Sequence, residues 1–270
     1  MFEFLHTFNP SPILVSIGPL HVYWYGLLMA IGSLLGLAAG YRLAPKIGLK
    51  KTDILDAAFY FAIGAVVGAR IYYVIYAWEL YRDNWLDIFK IWEGGLAVHG
   101  VMLGGFFAIL QLCYKRRMAI GKMFDLVAIG LVTGQIVGRW GNYFNQEIFG
   151  QPTTLPWGIP IAMEKRPLEY VESQYFHPTC LYESLGNIVI LGLLLLAFWL
   201  KIKKKIKLEF GFIFDLYLIG YSLLRMSLET LRIDYSPVIF GLRWPMIMSL
   251  LLLLFGIVLL VINKFRALKK

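Results

Sequence analysis

Seven long runs of apolar residues, separated by polar connections, follow one another along the chain. Each approaches the roughly 20 apolar residues that a helix needs to cross a bilayer. We therefore predict spans near residues 20–41, 55–78, 95–114, 123–141, 181–200, 210–229 and 242–263. The fourth is the weakest, because Asp125, Thr133 and Gln135 interrupt it. The pattern predicts an all-α polytopic membrane protein with about seven transmembrane helices.

The composition agrees with this prediction. Apolar residues make up 59% and charged residues only 16% of the 270 positions, and the mean hydropathy is +0.66. Soluble domains are roughly 45–50% apolar and about 25% charged, so an ordinary soluble enzyme and a disordered chain are both excluded. Because the apolar runs extend from end to end, we predict a single membrane-embedded domain over 1–270. No Lys or Arg occurs in Met1–Pro19, and Pro10 and Pro12 interrupt it, so we expect no signal peptide.

The basic residues predict the orientation. Cytoplasmic flanks of membrane spans are rich in Lys and Arg, and 17 of the 26 basic residues lie in alternate connections. The intervening connections are acidic on balance, which places the N-terminus outside and the C-terminus in the cytoplasm. Topology and anionic lipid thus account for the net charge of +9, and we expect no nucleic-acid partner. The 17 residues are Arg42, Lys46, Lys50, Lys51, Lys115, Arg116, Arg117, Lys122, Lys201, Lys203, Lys204, Lys205, Lys207, Lys264, Arg266, Lys269 and Lys270.

The connection 142–180 is the longest, and it holds five prolines but no long apolar run. Prolines and glycines interrupt regular structure. We therefore predict a small irregular cap on the extracytoplasmic side, between spans four and five.

Several polar residues fall at one level of the membrane in this orientation. Ionisable groups at membrane depth cost about 2.5–3.5 kcal/mol on insertion scales and usually mark function. Four spans deliver such groups to the outer-leaflet level, which predicts a site there. The convergent residues are Tyr25, His99, Arg139, Asn142, Arg225 and Glu229. Arg70 lies two-thirds of the way out in span two, where either packing or catalysis can explain it.

The segment Gly138–Gly150 concentrates polar residues at the exit of span four. A guanidinium binds phosphate oxygens through two donors, amides donate as well, and glycines let backbone N–H groups approach a ligand. The segment therefore predicts an anion site, with the Glu147 carboxylate pairing the arginine when no ligand is bound. Its polar members are Arg139, Asn142, Asn145, Gln146 and Glu147.

At this segment the sequence resembles the phosphatidylglycerol–prolipoprotein diacylglyceryl transferases, and the resemblance covers nearly the whole chain. Gly138–Gly150 matches the family pattern G-R-x-G-N-x-x-N-x-E-x-x-G. Supporting matches are Ser16–Pro19, Trp24–Gly26, Trp92–Gly95 with His99 and Gly100, His177 and Pro178 with Leu181–Glu183, and Gly220 and Tyr221 with Arg225, Glu229 and Arg232. One departure is Val101, where the family commonly has a second glycine after the His-Gly pair.

The resemblance implies the chemistry. The diacylglyceryl group of phosphatidylglycerol passes to the lipobox cysteine of a prolipoprotein, a thioether forms, and glycerol phosphate leaves. His99, Arg139 and Arg225 are then the expected catalytic residues, with His99 as the proton acceptor. Substrate binding is expected from Tyr25, Arg139, Asn142, Glu147, Gly150, Arg225, Glu229 and Arg232. The expected location is the bacterial cytoplasmic membrane, with the site facing the extracytoplasmic side. Membrane lipid is an expected partner.

We expect neither a metal nor a cofactor. The four histidines and two cysteines lack ligand spacing, and no P-loop or dinucleotide fingerprint occurs. Two other classes compete with the enzyme. A transporter or channel for an anionic metabolite predicts polar residues through the whole membrane depth, whereas a non-catalytic assembly factor or receptor uses the cap as its contact surface.

Overall fold

The computed structural model describes residues 2–204 and 209–268. These residues form helices α1 Phe2–Thr7, α2 Trp24–Leu43, α3 Lys51–Tyr76, α4 Val98–Lys115, α5 Ile120–Phe144, α6 Thr179–Ile202, α7 Phe212–Glu229 and α8 Trp244–Leu268. Three antiparallel pairs are formed by the short strands β1 Ile13–Ile17 and β2 Leu20–Tyr23, β3 Ile159–Pro160 and β4 Tyr175–Phe176, and β5 Val238–Ile239 and β6 Leu242–Arg243. Of the basic residues assigned to cytoplasmic connections, Lys205, Lys207, Lys269 and Lys270 lie outside the described residues.

Among the described residues, six helices are long and apolar enough to cross a membrane: α2 with the turn that follows it to Ile47, α3, α4, α5, α6, and α8 as far as Phe265. A mostly helical, polytopic membrane protein is thereby confirmed. Helix α7 matches the 18-residue length of α4, but it carries Asp215, Arg225 and Glu229. The count of seven spans and their orientation stay predictions.

The first predicted span begins four residues too early. Residues 20–23 form β2, which pairs with β1 across a tight turn where Gly18 has a φ of 59°. The Trp24 N–H closes this hairpin by donating to the Pro12 carbonyl at 3.0 Å. Helix α2 therefore starts at Trp24, because β pairing has already satisfied the backbone of the apolar residues before it.

The described chain divides into two compact units, residues 41–123 and residues 1–40 with 124–270. In the first unit, α3 and α4 are in backbone contact along a row of glycines. A Cβ atom at Gly104 would lie 2.0 Å from the Gly64 carbonyl oxygen, and one at Gly68 would lie 2.4 Å from that of Gly100. Small residues permit this close approach of membrane helices, and any side chain here would force the pair apart.

Arg70 holds the connection between α3 and α4 in place. The residue is only 7% exposed, and its guanidinium also lies over the Tyr81 ring at 5.1 Å. A guanidinium has five N–H donors, and here they meet five backbone carbonyl oxygens at 2.6–3.3 Å, those of Asp87, Ile88, Lys90, Gly94 and Gly95. Since no donor is left for a ligand, packing rather than catalysis accounts for Arg70.

In the second unit, α2 and α5 also cross at glycines, and a Cβ at Gly36 would lie 2.5 Å from the Gly130 carbonyl oxygen. Helices α6, α7 and α8 pack in sequence. The buried Asp125 carboxylate of α5 accepts hydrogen bonds from the backbone N–H groups of Gly211, Ile213 and Phe214 at 3.0–3.1 Å. It therefore caps the start of α7, where unpaired N–H groups favour a negative charge.

The segment after α5 folds around a small apolar core. Two of its strands pair as β3 and β4, and the Gln146 amide ties it to the N-terminal segment by donating to the Pro10 carbonyl at 2.7 Å. The core consists of Tyr143, Phe149, Ile159, Ile161, Phe176, Cys180 and Leu181. The location of this cap outside the membrane, and one domain over 1–270, stay predictions.

Candidate active site

Arg139 lies on α5, near the end of the helix, and is gripped along one edge. Its Nη2 lies 2.7 Å from Oε1 of Glu183, a carboxylate that is only 1% exposed, and 3.5 Å from the Tyr221 hydroxyl oxygen. The Tyr221 hydroxyl donates to the same Glu183 oxygen at 3.0 Å. The Nε atom of Arg139 is buried and has no hydrogen-bond partner among the described residues. Arg139 thus has a fixed orientation and a free donor.

Asn142 connects Arg139 to Glu147. It accepts from Arg139 Nη1 at 3.1 Å through its Oδ1, and its Nδ2 donates to Glu147 Oε1 at 2.7 Å. The expected pairing of Glu147 with Arg139 is wrong. Glu183 takes that place because it projects from α6 into the bundle, whereas Glu147 lies in the loop after α5 and accepts from amides.

A second cluster gathers three arginines around two carboxylates. Glu229 is the centre: its Oε2 lies 2.7 Å from Arg225 Nη1, and its Oε1 lies 2.9 Å from Arg243 Nε. Arg232 grips both carboxylate oxygens of Asp234, at 2.7 and 2.9 Å. Burial alone would raise the pKa of Asp234, but hydrogen bonds from Arg232 and the charges of Arg232 and Arg243 hold it below its usual value. Three guanidinium groups against two carboxylates leave the cluster with one excess positive charge.

A stripe along α7 connects the two clusters. Tyr217, Tyr221, Arg225 and Glu229 follow at intervals of four residues, so each lies about 6 Å further along the helix than the last. From α5, Gln135 donates to the Tyr217 hydroxyl at 3.0 Å, and one turn later Arg139 meets Tyr221. The next turn of α7 presents Arg225. Arg139 of α5 therefore contacts α7 one turn before Arg225, the other predicted phosphate-binding arginine.

Gly150 lies where three segments meet, and its backbone N–H already has a partner within the chain. Its N–H donates to the His177 carbonyl at 2.8 Å, and Gln151 N–H donates to the Leu231 carbonyl at 2.8 Å. A Cβ at Gly150 would lie 2.8 Å from the Leu231 carbonyl oxygen and 3.0 Å from the His177 Cβ. The backbone N–H that was expected to approach a ligand is occupied, so the glycine serves the close crossing of these segments.

Tyr25 lies at the start of α2 against the segment Gly138–Gly150. A Cβ at Gly141 would come within 2.9 Å of the Tyr25 ring, and the neighbouring Trp24 stacks on Phe144 with ring centroids 4.5 Å apart. The aromatic start of α2 thus packs on the end of α5, the helix that carries Arg139.

His99 belongs to the unit 41–123. It lies one residue into α4, on an exposed position, and its ring centroid is 5.7 Å from that of Tyr72. Among the described residues, no group of three or more His, Cys, Asp or Glu is placed to hold a metal ion. Both cysteines, Cys113 and Cys180, are free and buried.

Sequence reasoning left four residues of these clusters out of the site. Glu183 carried a detectable signal, because it is the only carboxylate in the predicted span 181–200. Tyr221 lies four residues before Arg225, a spacing that places both on neighbouring turns. Asp234 had no comparable signal, since it lies in a short connection whose fold the pattern does not define. Arg243 falls at the start of the predicted span 242–263, where a basic residue is readily assigned to the membrane boundary.

Comparisons with known proteins agree with the resemblance. A sequence model of the family described as prolipoprotein diacylglyceryl transferase matches residues 12–262. A protein of Synechococcus elongatus named phosphatidylglycerol–prolipoprotein diacylglyceryl transferase is 43% identical over 249 residues, which cover 92% of this chain and 86% of the relative. Relatives of the same name from Nostoc sp. and Synechocystis sp. are 42% and 39% identical, each over 92% of this chain and 87% of their own length. The chain therefore belongs to the prolipoprotein diacylglyceryl transferase family.

Proposed function

We propose that the protein transfers the diacylglyceryl group of phosphatidylglycerol to the cysteine thiol of a prolipoprotein, the first step of lipoprotein maturation. The observation that carries this proposal is the pair of arginine clusters along α7, in a chain of this family. A thiolate sulfur attacks the carbon of the diacylated glycerol that is bonded to the phosphate oxygen. The C–S bond forms as the C–O bond breaks, and its electron pair leaves with glycerol phosphate.

The arginines stabilise the leaving group. The phosphodiester carries one negative charge, and the departing phosphate monoester gains another, so donors aimed at this oxygen favour the transition state more than the ground state. Arg139, which Glu183 holds through Nη2, contributes its unpartnered Nε. Arg225 contributes from a cluster that already has an excess positive charge.

The other predicted residues hold these groups in place. Asn142 and Glu147 orient Arg139 from the loop side, and Glu229 orients Arg225. Arg232 fixes Asp234 beside the same cluster. Tyr25 supports the end of α5, and Gly150 allows the crossing on which the loop depends.

His99 is the proposed proton acceptor for the acceptor thiol. A thiol must lose its proton before it attacks, and a neutral imidazole nitrogen can accept that proton. Replacing His99 by Gln removes the base and should lower kcat by about 10²–10⁴-fold near neutral pH. Near-normal turnover of His99→Gln at pH 7.5 would contradict this role.

The proposed topology has seven spans, with α7 among them, the N-terminus outside and the C-terminus in the cytoplasm. Eighteen helical residues rise about 27 Å, close to the roughly 30 Å of a hydrocarbon core. The charges of α7 have polar partners: Asp215 accepts from Asn263 of α8 at 2.7 Å, and Arg225 pairs with Glu229. The arginine clusters then face the extracytoplasmic side of a bacterial cytoplasmic membrane, in one catalytic domain over 1–270 capped by 142–180.

A transporter for an anionic metabolite is the main competing class. It requires a polar route beyond the arginine clusters, but Asp125 caps α7 and Asp215 binds Asn263, so each has a structural partner. This favours a one-sided site, as lipid chemistry requires.

One reaction separates the enzyme from the transporter and from a receptor or assembly factor. Purified protein is incubated with phosphatidylglycerol and a lipobox peptide, and the mass of the peptide is then measured by mass spectrometry. We expect a gain of one diacylglyceryl unit and stoichiometric release of glycerol phosphate. A peptide with Ser in place of Cys is the control and should stay unmodified. The proposal is overturned if this protein leaves the Cys peptide unmodified while an active relative modifies it under the same conditions.

A further inference from the structure

A groove of about 870 Å³ opens beside the loop that follows α5. Five separate segments line it: Pro12 before β1, the end of β2, the loop 145–149, the cap residues 164–167 and the connection 233–235. This volume lies in the range of clefts that enclose a drug-sized ligand. All five segments belong to the unit that carries both arginine clusters.

The groove adjoins both clusters through its lining carboxylates. Glu147 lines it and accepts from Asn142, which in turn contacts Arg139. Asp234 also lines it and is gripped by Arg232 in the second cluster. A molecule in the groove therefore lies one or two side chains away from the proposed phosphate site.

The wall formed by the loop 145–149 is held in an unusual backbone conformation. Gln146 and Ile148 have φ values of 51° and 57°, a region that a β-branched residue rarely adopts. Gln146 is bonded to Pro10 and to the Ala162 N–H, both at 2.7 Å, and the Ile148 carbonyl accepts from Thr179 at 2.7 Å. These bonds fix the loop, so the groove is pre-formed rather than created by its occupant.

We propose that this groove holds the segment of the acceptor polypeptide next to its cysteine, an inference that rests on the proposed function. Charged side chains of both signs line the groove, among them Asp234 and Lys165, and an acyl chain would have to desolvate them without compensation. An extended polypeptide can instead bond to them through its backbone. Tyr23 and Tyr235 are 49% and 94% exposed, and tyrosines of this kind are typical anchors in polypeptide recognition.

Tyr235 and Phe240 make a matched pair for the test. Both are aromatic, 94% and 98% exposed, and lie in the connection between α7 and α8, but Phe240 is not among the groove residues. Steady-state kinetics are measured on the full-length protein in phosphatidylglycerol-containing nanodiscs with a lipobox peptide. We expect Tyr235→Asp to raise the KM for the peptide about tenfold, the effect of losing one good anchor. The KM for phosphatidylglycerol should not rise, and Phe240→Asp should change neither constant.

Photo-crosslinking tests the groove without turnover. The photoreactive residue p-benzoylphenylalanine replaces Tyr235 or Phe240, and the protein is illuminated with a biotinylated lipobox peptide in which Ser replaces Cys. Capture from position 235 and not from 240 supports the proposal. An unchanged peptide KM in Tyr235→Asp, a raised KM for phosphatidylglycerol instead, or equal capture from both positions overturns it. If the wild-type protein transfers no lipid, the proposed function fails, and the crosslinks still decide whether a polypeptide occupies the groove.

Discussion

Arg70 and Arg139 are both arginines within predicted spans, but their surroundings give them different roles. Arg70 donates all five N–H groups to carbonyl oxygens of its own connection. Arg139 is held by the Glu183 carboxylate, a hydroxyl and an amide, and its Nε keeps no partner among the described residues. Backbone carbonyls cannot leave without unfolding the loop, whereas an anionic ligand can use a free donor. The partners of an arginine therefore indicate its role better than its depth in the membrane.

Within this comparison of arginines, the largest expected effect is that of Arg139→Lys. Lysine keeps the charge but loses the fork that contacts Glu183 and, in the proposed function, phosphate oxygens as well. We expect kcat for diacylglyceryl transfer to fall by about 10²–10³-fold, as when one transition-state donor is removed. The measurement is single-turnover transfer to a lipobox peptide. Turnover like that of the wild type in Arg139→Lys would remove the distinction between the two arginines.

Glu183→Gln tests whether the carboxylate positions Arg139. Glutamine can still accept the hydrogen bond but not balance the charge, so we expect kcat to fall about tenfold, equivalent to about 1.4 kcal/mol of lost orientation. The KM for phosphatidylglycerol should not rise, because the carboxylate competes with phosphate for the guanidinium. Ser184→Ala is the neighbouring buried control, which breaks a bond to the Ile136 carbonyl and should leave the kcat of the folded protein unchanged. A Glu183→Gln defect confined to KM would contradict the positioning role.

Arg70→Lys should have the opposite profile. Lysine supplies three donors instead of five, so two carbonyl oxygens each lose a hydrogen bond to a charged group. Each such bond contributes about 1.5–3 kcal/mol. We expect the melting temperature in detergent to fall by roughly 6–12 °C, while the kcat of the folded protein stays close to the wild-type value. A loss of kcat without loss of stability would assign Arg70 to the chemistry and contradict its structural role.

The smallest expected effect concerns pH. The pKa of Asp234 is lowered in the folded protein, so its ionised form contributes stability that is complete above the ordinary value of about 3.9 and is lost as the pH falls through the lower folded value. Arg70 has no carboxylate partner among the described residues and adds no such dependence. Thermal melting of the wild type and Asp234→Asn between pH 3 and 6 measures the difference. The variant should have the shallower acid limb, and identical limbs would mean that the Arg232–Asp234 pair adds no stability.

Patterns that repeat along the chain were predictable. The apolar runs identified the helices to within a few residues, and the segment Gly138–Gly150 identified Arg139 and Asn142. Hydrophobicity alone does not resolve competition between β pairing and helix, so the start of α2 at Trp24 was missed. Ion pairing between helices was missed for a related reason. The sequence does not show which carboxylate, Glu147 or Glu183, pairs with Arg139. Only the packing of α6 against α5 decides between them.

The glycine contacts of α3 with α4, and of α2 with α5, limit where a phospholipid can enter between the helices. A single methyl group at Gly104 would lie 2.0 Å from the facing oxygen, and one at Gly36 would lie 2.5 Å from its own. A hydrocarbon tail is wider than a methyl group. While the glycine contacts are kept, no acyl chain can therefore pass between α3 and α4 or between α2 and α5. We therefore expect phospholipid to enter the protein away from both glycine rows.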